Sequence, residues 1–120
     1  MPREIPADSL LPLSALSFAI LLALADGRRH GYGIMKEIDL ADSGMASPGA
    51  GSLYAALDRL LKQDLIEECP PPAAERDPRR RYYSLTLFGR EVARAEGRRL
   101  AHLVESARRK KLIAPDPTPA

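Results

Sequence analysis

The chain contains no tryptophan, two phenylalanines and four tyrosines, so aromatic residues make up 5% of its 120 residues. With so few rings, nothing marks an aromatic sandwich for a flat ligand, and the core must be built from Leu, Ile, Val and Ala. The single cysteine, Cys69, excludes an intramolecular disulfide and a cysteine-built zinc cluster. The two histidines, His30 and His102, stand far apart with no acid–cysteine set to complete a metal site. No nucleophile–base–orienter set occurs, and Gly31-x-Gly33 lacks the preceding strand pattern that a phosphate-cradling glycine loop needs. An enzyme is not expected, nor a cofactor or metal. The longest apolar stretch, residues 15–25, is too short to span a bilayer. It follows an acidic, proline-containing leader (Glu4, Pro6, Asp8) instead of the basic start of a signal peptide. A cytoplasmic chain with no membrane partner is the expectation.

What is present is an ordinary globular balance, 45% hydrophobic and 28% charged, in a length that suits one small domain. A domain of this size buries a modest share of its surface and gains from a core shared with a second subunit. The net charge of +2 is unevenly spread: residues 1–75 hold 6 Lys/Arg against 11 Asp/Glu, and residues 76–111 hold 12 against 4. One basic surface on a nearly neutral chain suits contact with phosphates, although a solvated arginine-rich helix would leave the same charge pattern.

Leu16, Ala19, Ile20, Ala23 and Leu24 recur at helical spacing, with Leu21 and Leu22 widening the stripe, and predict a buried helix from Leu13 to Ala25 that stops at Asp26-Gly27. A second helix is expected from Gly31 to about Ser43, with Tyr32, Ile34, Met35, Ile38 and Leu40 on its apolar side. Ser47-Pro48 reads as an N-cap followed by proline in the first helical position. From there a third helix to about Gln63 would bury Leu53, Leu57, Leu60 and Leu61 and present Ser52, Ala55, Arg59 and Lys62, with Tyr54 and Asp58 at the margins. Three helices with small and polar residues on the third one's outer face are the layout of a helix-turn-helix DNA reader.

Residues 65–68 and 81–85 are short strand-type runs, joined by a loop whose Pro70-Pro71-Pro72 can extend neither strand. Two strands with a basic tip make a wing. Thr86 can cap a last helix to about Lys111, apolar at Phe88, Val92, Ala95, Leu100, Leu103, Val104 and Ala107, and the proline-rich tail beyond cannot fold. The expected fold is mainly α with a small β-wing. A winged helix-turn-helix would fill residues 10–86 and a dimerisation helix 87–111, with a disordered tail at 112–120.

The chain resembles the short PadR family of bacterial transcriptional regulators, whose C-terminal domain is a single helix. The likeness runs from about Leu13 to Lys111. It is carried by His30-Gly31-Tyr32-Gly33-Ile34, by Gly51-Ser52-Leu53-Tyr54-Ala55-Ala56-Leu57-Asp58-Arg59-Leu60, by Asp64-Leu65-Ile66, and by Arg81-Tyr82-Tyr83-Ser84-Leu85-Thr86-Leu87-Phe88-Gly89-Arg90. Asp64 stands where family members commonly have glycine, and Ala55 where proline is frequent. Aspartate tolerates the left-handed turn, so the fold should survive. The resemblance implies a third helix in the major groove, a wing on the backbone or minor groove, and room for a small-molecule effector between subunits, whose class no residue here marks.

The DNA-contact candidates are Ser47, Gly51, Ser52, Tyr54, Ala55 and Arg59 on the third helix, with Arg76, Arg79, Arg80 and Arg81 in the wing. Tyr32 and Tyr83 are assigned to the core, Tyr82 to the opposite face, and His30 to a cap or surface position. Val92, Leu100, Leu103, Val104 and Ala107 are the dimer-interface candidates, because a helix of about six turns outruns so small a core. The reading is a sequence-specific regulator, expected to repress, that binds double-stranded operator DNA as a homodimer. The competing reading is a winged-helix protein–protein interaction module without DNA binding.

Overall fold

Ser14 opens the first helix, α1 (Ala15–Ala23), its hydroxyl accepting the Ser17 N–H at 3.1 Å. In this computed structural model, which describes residues 5–41, 48–72 and 80–115, a one-turn 3-10 helix (Ala7–Leu10) precedes it. Ile20, Leu21, Ala23 and Leu24 are buried, whereas Leu22, expected to widen the apolar stripe, is exposed. The helix stops at Ala23, two residues short of the expected Ala25, with Leu24 as its C-cap, and the turn beyond it holds Gly27 at φ 154°, a conformation that side-chain-bearing residues rarely adopt.

Two residues then form β1 (Arg29–His30), a strand where only a connection was expected, and the chain turns directly into α2 (Gly31–Leu40). His30 caps α2: its Nδ1 accepts the Gly33 N–H at 3.0 Å. Gly31 and Gly33 are therefore helical, and a strand does precede them, but there is no loop to cradle a phosphate. Ile34 and Ile38 are buried, while Leu40 is exposed.

α3 (Ala50–Lys62) has Gly49 as its N-cap, with no side-chain cap bond, so Pro48 stands before the helix and not at its first position. Ser47 lies outside the described residues. Leu53, Ala56, Leu57 and Leu60 are buried, the periodicity that the sequence carries. Asp64 takes φ 63°, with Leu65 N–H bonded to Leu60 O (3.0 Å) and Asp64 N–H to Leu61 O (3.0 Å). That pair of bonds is a Schellman ending, with aspartate where glycine is usual.

β2 (Ile66–Cys69) and β3 (Tyr82–Leu85) pair antiparallel, Ile66 opposite Leu85 and Cys69 opposite Tyr82. β1 adds to the other side of β3, Arg29 opposite Tyr83 and His30 opposite Tyr82, giving the sheet order β1-β3-β2. Tyr83 lies in the core as expected. Tyr82, expected to face outward, is buried as well, because β1 makes β3 a central strand and the His30 ring lies edge-on at 5.2 Å.

Thr86 starts α4 (Leu87–Arg109), accepting the Gly89 N–H (2.8 Å) and donating its own hydroxyl to the Asp64 carbonyl (2.7 Å). The helix seats directly on the turn between α3 and β2, since a Cβ at Gly89 would lie 1.9 Å from the Leu65 carbonyl oxygen. Phe88, Val92, Ala95 and Glu96 are buried against the domain's own core. Val92 thus belongs to that core and not to a free face, a correction to its assignment as an interface residue. Glu96 holds the N-terminal segment, accepting the Leu13 N–H at 2.7 Å while paired with Arg99.

Candidate nucleic-acid interface

With Leu53, Leu57 and Leu60 committed to the core, geometry forces the rest of α3 outward: Gly51, Ser52, Tyr54, Ala55, Asp58, Arg59 and Lys62 are all exposed. No heavy atom beyond the helix's own turns lies within 4 Å of where a Gly51 Cβ would stand, so the first turn is a low ridge open to solvent. Gly51, Ser52 and Ala55 make that ridge small enough for a duplex groove, and Arg59 and Lys62 follow it toward the C-terminal end, where the helix dipole favours cations.

Tyr54 is 49% exposed and leans on the start of α2, where a Cβ at Gly31 would come within 2.6 Å of its hydroxyl oxygen. Gly31 is therefore a close-approach position for Tyr54. Tyr32, assigned to the core from its sequence, is 55% exposed, stacked on His30 at 6.3 Å with Lys36 Nζ 5.4 Å from its ring centre. The last residues before β3 complete the site. Arg80 Nη1 lies 2.7 Å from His30 Nε2, and Arg81 Nε 3.4 Å from Glu68 Oε1. The Arg81–Glu68 pair is well exposed on both sides and holds the arginine only weakly.

These groups border one cleft of about 430 Å³, lined by His30, Gly31, Tyr32, Tyr54, Arg80 and Arg81. The structure thus brings together Tyr54, Arg80 and Arg81, three of the sequence candidates, and adds His30 and Tyr32. Arg59 is exposed on α3 but does not line the cleft, and Arg76 and Arg79 lie outside the described residues. The nearby Tyr83 hydroxyl is raised above its ordinary pKa, chiefly by burial and then by the Glu68 charge, and stays neutral. Such a surface can hold backbone phosphates at the cleft while the α3 ridge faces bases.

Away from this cleft, Leu103 and Val104 of α4 are 55% and 40% exposed, and Leu100 and Ala107 are half-buried. A second, mostly apolar groove of about 410 Å³ runs between α1 and α4, lined by Leu13, Phe18, Ala19, Leu22 and Leu100, with Glu96 and Arg99 at its edge. Hydrogen bonding to Arg99 lowers the Glu96 pKa against the opposing effect of burial, so the carboxylate is ionised. Among the described residues, no three His, Cys, Asp or Glu side chains gather as metal ligands, and no helix is long and apolar enough to cross a membrane.

Residues 20–95 match the model of the transcriptional regulator PadR-like family. The chain is 39% identical over 84 residues to an uncharacterized 37.1 kDa protein in transposon TN4556 of Streptomyces fradiae. That match covers 70% of this chain and 22% of the relative, so the chain spans about a fifth of its length. In three dimensions it is similar to a transcriptional regulator from Clostridium thermocellum, with a TM-score of 0.66 and 23% identity over 88% of this chain and 96% of that one. It is also similar to a PadR family transcription regulator from hypervirulent Clostridium difficile, with a TM-score of 0.65 and 21% identity over 83% of this chain and all of that one. At such identities the likeness speaks to the fold, helices with a small antiparallel wing.

Proposed function

The chain belongs to the PadR-like family of transcriptional regulators, and from that premise we propose that it is a cytoplasmic repressor that binds operator duplex as a homodimer. One observation carries the reading: the open ridge of α3 and the Tyr54–Arg80–Arg81 cleft adjoin on one surface. The ridge enters the major groove, where Ser52, Ala55 and Arg59 face base edges. Tyr54 and the wing arginines hold phosphates and set the register. The second half of α4, with Leu103 and Val104 outward, meets the same surface of a second copy about a two-fold axis and carries two α3 ridges to successive turns of DNA.

The test is binding to the DNA upstream of the protein's own gene against random duplex at physiological salt. A strong preference, with a footprint of two half-sites about one helical turn apart and derepression of a reporter on deletion, is the expected result. Equal binding to both duplexes overturns it. Charge reversal at Arg80 and Arg81 should abolish duplex binding. Neutralising either one, if it holds one phosphate, should flatten the log–log salt dependence by about 0.9.

A further inference from the structure

Tyr32 is assigned to the core from its sequence, yet its ring stands in solvent at the start of α2. It is held there from two sides. The His30 ring stacks on it at 6.3 Å with the planes 15° apart, and Lys36 Nζ stands 5.4 Å from its centre. Residues four apart share a helix face, and an ammonium over a ring is attracted by the ring's electrons, so Tyr32 and Lys36 position each other. Among the described residues, no carboxylate pairs with the Lys36 ammonium and no group hydrogen-bonds the Tyr32 hydroxyl. The acids of α2 are engaged: Glu37 pairs with Arg29 at 3.4 Å beside the groove between α1 and α2, and Asp39 has an interaction of its own.

We infer that Tyr32 and Lys36 are a phosphate-binding pair, the phenol hydroxyl and the ammonium together holding one backbone phosphate of the bound duplex. This rests on the duplex-binding reading above and extends it from α3 and the wing to α2. Location carries the inference. Tyr32 lines the same cleft as Tyr54, Arg80 and Arg81, and no acidic side chain is among that cleft's described lining residues. A duplex that seats the α3 ridge in its groove runs its backbone past Tyr54 and onto the face of α2 that carries Tyr32 and Lys36. There the ammonium supplies charge and the hydroxyl a directed donor, and a phosphate, which has only acceptors, takes both. Neither group reads a base, so the pair adds equally to every sequence.

The experiment compares the full chain with its Tyr32→Phe, Lys36→Gln, Lys36→Arg and Tyr32→Phe/Lys36→Gln forms, by equilibrium binding to the footprinted duplex and to random duplex over a salt series. Phenylalanine keeps the ring against His30 and removes only the hydroxyl, so the helix content by circular dichroism should not change. Tyr32→Phe should lose about tenfold in affinity with an unchanged salt slope. Lys36→Gln should flatten the slope by about 0.9, and Lys36→Arg should keep it. Each loss should be the same factor on both duplexes. The double variant should lose less than the product of the single losses, because both groups serve one phosphate, a coupling that a purely structural role would not create. Neutral methylphosphonate at that phosphate should weaken the wild type and leave the double variant unaffected. Tyr32→Phe binding as tightly as the wild type, an unchanged slope for Lys36→Gln, or losses confined to the footprinted duplex would overturn the inference alone. A wild-type chain that binds no duplex would instead remove the reading beneath it.

Discussion

The two halves of α4 share one helix, one apolar period and nearly the same fraction of charged residues, yet they occupy different environments. Residues 87–96 carry all five buried positions of the helix, Phe88, Gly89, Val92, Ala95 and Glu96. Residues 97–109 carry none, and Leu103 and Val104 stand in solvent. Burial follows from what lies opposite a helix face, not from the pattern along it. The first half meets the Leu65 backbone and the Leu13 segment, whereas the second half borders α1 only at Arg99 and Leu100 and has no buried residue.

The sharpest way to break the comparison is at its glycines. At Gly89 a methyl group would stand 1.9 Å from the Leu65 carbonyl oxygen, a backbone atom that cannot swing aside. Gly89→Ala must push α4 off the turn that follows α3 and expose Phe88 and Val92, so we expect a loss of about 3 kcal/mol or more, read by urea unfolding. In the other half, a methyl group at Gly97 would meet no neighbour within 4 Å, and Gly97→Ala should stabilise by about 0.5–1 kcal/mol through helix propensity. Equal effects at the two positions would mean that α4 does not seat on the Leu65 backbone.

Glu96 ranks next. Glu96→Gln leaves an acceptor for the Leu13 N–H but removes the charge facing Arg99, at a cost of about 1–3 kcal/mol. Because the folded carboxyl titrates below its ordinary value of 4.5, its contribution is present above that pH. It fades as pH falls through the folded value, since the unfolded chain takes up the proton first. The acid limb of a stability-against-pH curve should therefore be shallower for Glu96→Gln than for the wild type. Parallel curves would show that the pair contributes nothing beyond its hydrogen bonds.

Local features are the ones legible in the sequence. Helix periods, the Thr86 cap, the left-handed turn at Asp64 and the two wing strands depend on residues a few positions apart. Contacts made across the fold are not legible. β1 is two residues with no alternation to detect, and without it the pattern turns Tyr82 outward and gives His30, expected as a cap or surface group and found as a cap, no link to the wing. Helical spacing places Tyr32 in the core, but the space against α2 is taken by Tyr54, admitted by Gly31. In the candidate site, Tyr54, Arg80 and Arg81 can be named from residue type and element, while their meeting in one cleft depends on the pairing of β1 with β3.

The smallest expected effect on the fold belongs to the exposed half of α4. Leu103→Asp with Val104→Asp disturbs nothing within one chain's core, and helix propensity changes by only a few tenths of a kcal/mol per residue. A dimer unfolds with a concentration-dependent Tm, because association stabilises the folded chain by mass action. The wild type should therefore melt at higher temperature as its concentration rises, and the double variant should melt at one temperature throughout, matching the wild type at high dilution. Sedimentation should show the variant as a monomer, and its duplex affinity should fall to that of a single half-site. If the wild-type Tm does not move with concentration and sedimentation shows one chain, the exposed half of α4 has another partner, and the difference between the two halves is not explained by a second copy.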